Sequence, residues 1–375
     1  MTERESSSGG GANPSPAPVH SDGRERFSPE ELVCVLSYYD LGIIYGLEEF
    51  PRGSRKAPKV LLKTERGNYI LKRRAKGKDD PFKVAFTHAI QLYLAARAFP
   101  VPALVGTRRD DNSLLQWNTN VYEIYQHVIG GRFNADVEET FAAGEVLGKF
   151  HRLIRQYEPE FPPMRGSYHD YPRIPTALTE IPARLSMTDE GTHGREDEVL
   201  HLCRTIADYY TEAVNRVNEL GFNLLEQQIV HSDWHPGNLM FRNGRVVAVI
   251  DYDTARLAPR VTDVANGTLQ FSFMAGQGPP MDWPVRLDTR RVLSFLRGYE
   301  SEQKPNLLEQ ELAMVPWLMI EAVIAEAVLP IAATGMIGPH RGYGFLQMVA
   351  HKIQWMAEEL PAMMDLVQIP TVNQS

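Results

Sequence analysis

Residues Ile229 to Asp253 read IVHSDWHPGNLMFRNGRVVAVIDYD. Ile229 and Val230 form the apolar end of a strand, and His231, Asp233, His235 and Asn238 follow in a polar loop. Leu239 to Phe241 makes a short strand. A turn at Asn243 and Gly244 leads into a second, buried strand, Val246 to Ile250, which stops on Asp251. Such a hairpin delivers its polar side chains to one end. Asp233, Asn238 and Asp251 are the group types that phosphoryl transfer from a magnesium nucleotide needs: a carboxylate to orient an acceptor hydroxyl and take its proton, and oxygen ligands for a hard cation on the phosphates.

HSDWHPGN followed by VIDYD resembles the catalytic loop and metal-binding aspartate of the aminoglycoside phosphotransferase and choline kinase superfamily, relatives of the protein kinases. The resemblance implies an α+β, two-lobed protein-kinase-like fold, with a small antiparallel-sheet N-lobe and a larger, mainly helical C-lobe. It makes Asp233 the catalytic aspartate and His231 its companion in the catalytic loop, as a structural support. Asn238 and Asp251 become the Mg2+ ligands, with His235 and Asp253 as supporting groups. ARLAPRVTDVANG resembles the family segment in which an aspartate, here Asp263, braces the catalytic loop; the alternative for Asp263 is a helix N-cap. ATP and Mg2+ are the implied cofactors, and a small molecule bearing a hydroxyl is the implied acceptor.

The chain of 375 residues is long enough for two lobes, and its 43% hydrophobic content is ordinary for a globular protein. A net charge of -8 disfavours nonspecific binding to nucleic acid or to an anionic membrane. The two cysteines, Cys34 and Cys203, stand far apart in apolar surroundings, which fits buried thiols and no disulfide framework. The Ser-, Gly- and Pro-rich start lacks the apolar core of a signal peptide and reads as a disordered tail on a cytoplasmic protein. The apolar run Met314 to Ile337 carries Glu321, Glu326, Pro316 and Pro330, so it reads as a buried helix and not as a membrane span. The expected organisation is a tail over 1–27, a nucleotide-binding lobe over 28–128, a catalytic and acceptor-binding lobe over 129–364 and a terminal tail over 365–375. No oligomeric state is read from the pattern.

In chain order, Ser28 caps a first helix, and Tyr38 to Phe50 turns into a first strand. Lys59 to Thr64 and Tyr69 to Arg73 form a hairpin. Between the first two strands lies PRGSRKAP, Pro51 to Pro58. In a kinase-like lobe it would cover the nucleotide phosphates, Gly53 allowing close backbone approach and Ser54 or Arg55 donating; an ordinary hairpin turn is the alternative. Lys72 stands where the family carries its phosphate-pairing lysine, and alternation puts it on one strand face with Ile70; the alternative is a solvated strand lysine. In kinases the next helix supplies a glutamate to that lysine. Here the helix, from about Phe82 to Ala98, has no acidic residue, so His88, Gln91, a carboxylate from elsewhere or the nucleotide alone must orient Lys72. VYEIYQHV leads to the expected hinge, where backbone groups of Gln126, His127 and Val128 would meet the adenine edge.

The helix around LGKFHRL is strongly periodic, and its GEVLGK is no nucleotide loop: it has one residue too few between the glycines, and Phe150 stands where Ser or Thr is required. Tyr157 to Arg195 is rich in polar residues and proline and reads as an irregular insertion near the acceptor site. The remainder is helical. Phe295 to Glu326 and Tyr38 to Phe50 are similar in style to bacterial homoserine kinases of the aminoglycoside phosphotransferase fold, so a homoserine-like amino alcohol leads among acceptors, with aminoglycoside, choline and spore-coat-type acceptors open. Its ammonium group would need a carboxylate, for which Glu158, Asp170, Glu180, Glu321 and Glu326 are candidates, Glu326 the sharpest. Two other classes fit parts of the pattern. One is a metallohydrolase with His231, Asp233 and His235 as ligands; the other is a pseudokinase-like nucleotide-binding regulatory module, motivated by the missing helix glutamate.

Overall fold

The computed structural model describes residues 23–51, 53–302 and 306–368, with side chains up to residue 359. The chain divides into two compact units, 1–84 with 104–127 and 85–103 with 128–375.

The smaller unit is a five-stranded antiparallel sheet with one helix. Helix α1 (Pro29–Leu36) precedes β1 (Ile44–Glu49), β2 (Lys59–Thr64) and β3 (Gly67–Arg73); β4 (Leu114–Trp117) and β5 (Asn120–Gln126) complete the sheet in the order β1-β2-β3-β5-β4. Alternation sends Val60, Leu62, Leu71, Tyr122 and Ile124 to one face, where they pack with Val35 of α1 and with Tyr39 and Leu41. A capping box starts α1: Glu31 N–H donates to Ser28 Oγ (3.1 Å) and Ser28 N–H to Glu31 Oε2 (3.3 Å). The Glu31 carboxylate also accepts from Arg73 Nη1 at 2.7 and 2.8 Å and from the Tyr122 hydroxyl at 2.7 Å, which ties helix to sheet through a buried charge pair. Part of the expected tail belongs to this assembly. Arg73 Nη2 donates to Glu25 Oε2 (3.0 Å) and to Arg26 O (3.3 Å), and Phe27 packs on Tyr122. The tail reading over 1–27 therefore fails at Glu25, Arg26 and Phe27, because a buried guanidinium draws acceptors from that stretch; 1–22 lie outside the described residues.

The larger unit is mainly helical. Helix α2 (Pro81–Ala95) starts in the smaller unit, but from Ala85 onward it belongs to the larger one, where Phe86, Ile90 and Leu94 join the main core. Then come α3 (Val137–Ile154), β6 (Met164–Arg165), α4 (Arg173–Thr188), α5 (Glu196–Glu219), β7 (Gln227–Val230), the hairpin β8 (Leu239–Arg242) and β9 (Arg245–Val249), β10 (Arg256–Pro259), α6 (Val261–Ser272), α7 (Thr289–Glu302), α8 (Glu309–Thr334) and α9 (Gly342–Gln368). The expected terminal tail from 365 starts inside α9, which is described through Gln368; 369–375 lie outside the described residues. The 157–195 stretch is not an irregular insertion. It contains β6 and the whole of α4, whose Ile174, Ala177, Leu178, Ile181 and Leu185 are buried at helical spacing; Pro175 and Pro182 mask that period in the sequence.

Helix α8 is long and apolar enough to cross a membrane by composition, yet 78% of its apolar window is buried inside the protein. It packs against α4, α5, α6 and α9, and each fully buried side chain such as Leu318, Ile320 or Ile324 contributes roughly 1.5–3 kcal/mol. The glycines of GEVLGK have a packing role. A Cβ on Gly144 would lie 2.0 Å from Phe295 O, one on Gly148 2.4 Å from Tyr299 O, and one on Gly298 2.1 Å from Phe141 O. Helices α3 and α7 thus touch backbone to backbone. Gly144→Ala is expected to lower the unfolding free energy by about 1–3 kcal/mol, since backbone cannot rotate out of the way; an unchanged urea midpoint would contradict this.

Candidate active site

Strand β7 ends at Val230, and the chain enters the loop through His231 and Ser232, the latter in the left-handed region at φ 64°. That turn aims two successive backbone N–H groups at one carboxylate: His231 N–H donates to Asp263 Oδ2 (2.6 Å) and Ser232 N–H to Asp263 Oδ1 (2.7 Å). Asp263 lies inside the first turn of α6, whose N-cap position is Arg260, so its carboxylate faces the loop and does not cap the helix. His151 of α3 completes the arrangement, with Nε2 3.2 Å from Asp263 Oδ2 and Nδ1 2.9 Å from the Tyr299 hydroxyl. Burial pushes the His151 ring below its ordinary pKa, more than Asp263 raises it, so the neutral ring donates from Nε2 and accepts from Tyr299. His151 was not singled out in the sequence; its signal was a histidine on the buried face of α3.

His231 is fully buried, ringed by Phe150, Trp234 and Tyr252, and its Nε2–H donates to Ile250 O (3.3 Å). Burial lowers its pKa. Asp233 by contrast is partly exposed. Asn238 Nδ2 donates to Asp233 Oδ2 (2.8 Å) and to Asp233 O (3.0 Å), which leaves Oδ1 as the acceptor end of that amide. His235 Nδ1 accepts from Gly237 N–H (3.0 Å), so Nε2 carries the proton that faces Asp233 Oδ1 at 3.6 Å. A Cβ on Gly237 would lie 2.6 Å from His235 Cε1, which accounts for glycine after Pro236. Desolvation alone would raise the Asp233 carboxyl, but His235, His231 and Asn238 together outweigh it and hold it below the usual carboxylate range.

The β8–β9 hairpin turns at Asn243 and Gly244, with φ of 50° and 72°, as the twist of a two-residue hairpin requires. Ile250 N–H donates to Asn238 O (2.9 Å) and so fixes the end of β9 beside Asn238. The next residue, Asp251, is exposed and left-handed at φ 64°, a conformation that aspartate tolerates better than most residues. Asn238 Oδ1 and the Asp251 carboxylate are a two-oxygen donor set suited to a hard cation. Asp253 is half-buried two residues further on. Among the described residues no group of three His, Cys, Asp or Glu side chains has metal-cluster geometry, so His231, Asp233 and His235 do not form the zinc-type site of a metallohydrolase. His231 faces the core while the other two face outward.

Glu326 of α8 is in the same unit. Gln270 of α6 donates to both its carboxylate oxygens, at 2.7 and 2.5 Å. Its side chain is open to solvent, yet loss of hydration around the carboxyl, outweighing Gln270 and His235 and joined by the Asp233 charge, leaves it pushed up to about 7. The other candidate carboxylates are placed differently. Glu321 is fully buried against His169 Nδ1 (2.8 Å) and Asp170 N–H (2.9 Å), Glu180 pairs with Arg173 on the surface, and Glu158 and Asp170 are exposed.

In the smaller unit, Gly53 is left-handed at φ 82°, and Ser54 Oγ accepts from Lys56 N–H (3.2 Å). Lys72 is mostly buried and its Nζ lies 2.9 Å from Glu123 Oε1. Glu123 was not recognised in the sequence; its signal was one carboxylate inside the otherwise apolar VYEIY. Gln126 closes the β5 ladder opposite Tyr69, and His127 N–H donates to Asn68 O (2.8 Å), so that N–H is used within the sheet. Val128 begins the second stretch of the larger unit.

Residues 47–316 match the family model described as the phosphotransferase enzyme family, APH. The chain belongs to that family. It is an ATP-dependent phosphotransferase acting on a hydroxyl acceptor. A homoserine kinase from Granulibacter bethesdensis is 24% identical to it over 309 residues, 80% of this chain and 84% of the relative. An aminoglycoside phosphotransferase from Alicyclobacillus acidocaldarius has the same fold, with a TM-score of 0.64 at 13% identity over 94% of this chain and 98% of that one. So does a microcompartment-associated aminopropanol kinase, with a TM-score of 0.63 at 14% identity over 88% and 97%.

Asp263→Asn in this phosphotransferase replaces one charged acceptor by an amide NH2 that cannot accept. It is expected to cost about 1.5–3 kcal/mol of stability through the loop N–H groups, and urea unfolding of the purified variant checks it.

Proposed function

We propose that the enzyme transfers the γ-phosphate of MgATP to the hydroxyl of a small amino alcohol of the homoserine class. The observation that carries the acceptor class is Glu326, a solvent-open carboxylate held by Gln270 and within the electrostatic reach of Asp233 and His235. A cationic acceptor docked there supplies a counter-charge to this carboxylate, and its hydroxyl is brought toward Asp233. The homoserine kinase relative supports the same acceptor class.

In this reading Asp233, kept ionised at neutral pH, orients the acceptor hydroxyl and takes its proton as the oxygen bonds to the γ-phosphorus and ADP leaves. Asn238 Oδ1 and Asp251 would hold Mg2+, which would supply charge neutralisation to the phosphates. Lys72 pairs with the phosphates, Gly53 and Ser54 belong to the loop over them, and backbone groups of Gln126, His127 and Val128 meet the adenine. His231 and Asp263 act by fixing the loop, His235 by directing Asp233, and Asp253 by supporting Asp251. A catalytically silent module is disfavoured by the carboxylate partner that Lys72 has in Glu123.

The deciding experiment is an ADP-release screen over amino alcohols, aminoglycosides and neutral sugars; neutral sugars outperforming every amino alcohol would overturn the acceptor assignment. Asp233→Asn is expected to keep nucleotide affinity and lower kcat by about 10² to 10⁴, measured as ADP release with saturating acceptor. Asp251→Asn, which tolerates the same backbone conformation, should weaken magnesium-dependent nucleotide binding more than Asp253→Asn in a Mg2+ titration.

The acceptor site also has a pH signature. A Glu326 carboxyl near 7 is neutral below that pH and charged above it. Between pH 6 and 8, kcat/KM for an amino alcohol should therefore rise roughly tenfold. Glu326→Gln should flatten that rise and raise the acceptor KM while leaving the ATP KM unchanged.

A further inference from the structure

The carboxylate that serves Lys72 comes from the sheet. In the β3–β5 ladder Lys72 and Glu123 are direct cross-strand partners, and alternation places both on the face opposite the Leu71–Tyr122–Ile124 core. Lys72 Nζ lies 2.9 Å from Glu123 Oε1, with side chains 14% and 5% exposed. Glu123 Oε2 is engaged separately: Arg74 Nη2 donates to it at 2.6 Å and Arg74 Nε at 3.1 Å. The two oxygens are thus divided between two cations. Arg74 fixes the carboxylate in its plane, and the carboxylate fixes the ammonium, which has three donors and gives one of them to Oε1.

We infer that Glu123 is the positioning residue for Lys72, taking on strand β5 the part that the acid-free helix α2 does not supply, with Arg74 as its own anchor. The inference rests on the reading of Lys72 as the phosphate-pairing lysine. An ammonium without such a partner would sample several rotamers and lose hydration without compensation. Held at 2.9 Å, it meets an incoming phosphate oxygen already ordered.

A kinetic double-mutant cycle on Lys72→Met and Glu123→Gln, with ATP varied at saturating acceptor, tests this. Glu123→Gln should lower kcat/KM for ATP about 10- to 100-fold, the range of a charged hydrogen bond, and leave the acceptor KM unchanged. In the Lys72→Met background the same substitution should produce no further loss. Losses that multiply across the two positions would make Glu123 a merely structural residue and overturn the inference. Because Arg74 loses a buried partner in Glu123→Gln, Glu123→Asp is measured alongside; the shorter carboxylate keeps the charge, and partial recovery of kcat/KM for ATP is expected. A soluble Glu123→Asp enzyme no better than Glu123→Gln overturns the inference, as does a Glu123→Gln enzyme indistinguishable from wild type in kcat/KM for ATP. If Lys72→Met itself leaves kcat/KM for ATP unchanged, the lysine assignment fails and not the pairing.

Discussion

One carboxylate accepting from two consecutive backbone N–H groups is the constraint on which the larger unit's polar site depends. Asp263 receives His231 N–H and Ser232 N–H and is itself contacted by His151, so β7, α3 and α6 converge on two oxygen atoms. The left-handed Ser232 would be costly in an unsupported loop. Its N–H, delivered to a buried anion, offsets that cost. Everything downstream inherits the anchor: Asp233 follows immediately, Asn238 is tied back to it, and Ile250 N–H hydrogen-bonded to Asn238 O carries the order to Asp251.

The core makes this anchor rigid. Phe150, Trp234 and Tyr252 surround the buried His231, and Gly267 of α6 leaves room for Trp234 and Phe295, whose atoms a Cβ there would meet at 3.0 and 2.3 Å. The glycine contacts between α3 and α7 bring His151 and Tyr299 close enough to share a hydrogen bond. Packing and polar chemistry are joined here: small residues allow close helices, and close helices let a histidine reach a loop-bearing aspartate.

Much of this was legible in the sequence, for identifiable reasons. The β7 to β9 hairpin follows from an apolar run, a polar loop and Asn-Gly at a turn, all of them local signals, and Ser28 announced α1 in the same way. Helix α4 was hidden because its prolines imitate a loop, while its apolar spacing, from Ile174 to Leu185, is meaningful only once α8 is there to receive it. Glu25 to Phe27 looked like tail because their partner, Arg73, is distant in sequence. Glu123 was invisible for a related cause. It pairs with Lys72 through strand register, a quantity that no window of sequence contains. Glu326, by contrast, stood out locally as one charge in an apolar run, and the fold gave it Gln270 and the neighbourhood of Asp233.

The cross-strand position of Lys72 and Glu123 also bears on how the small sheet assembles. A slip of one residue between β3 and β5 would set Lys72 against Tyr122 or Ile124 and turn one of the strands inside out, sending a charge into the apolar layer under α1. Arg73 and Glu31 impose the same condition from the opposite face. Mispaired sheets would carry stranded charges on both sides, so the same ion pairs that hold Lys72 and Arg73 also penalise the neighbouring registers of β3 on β5.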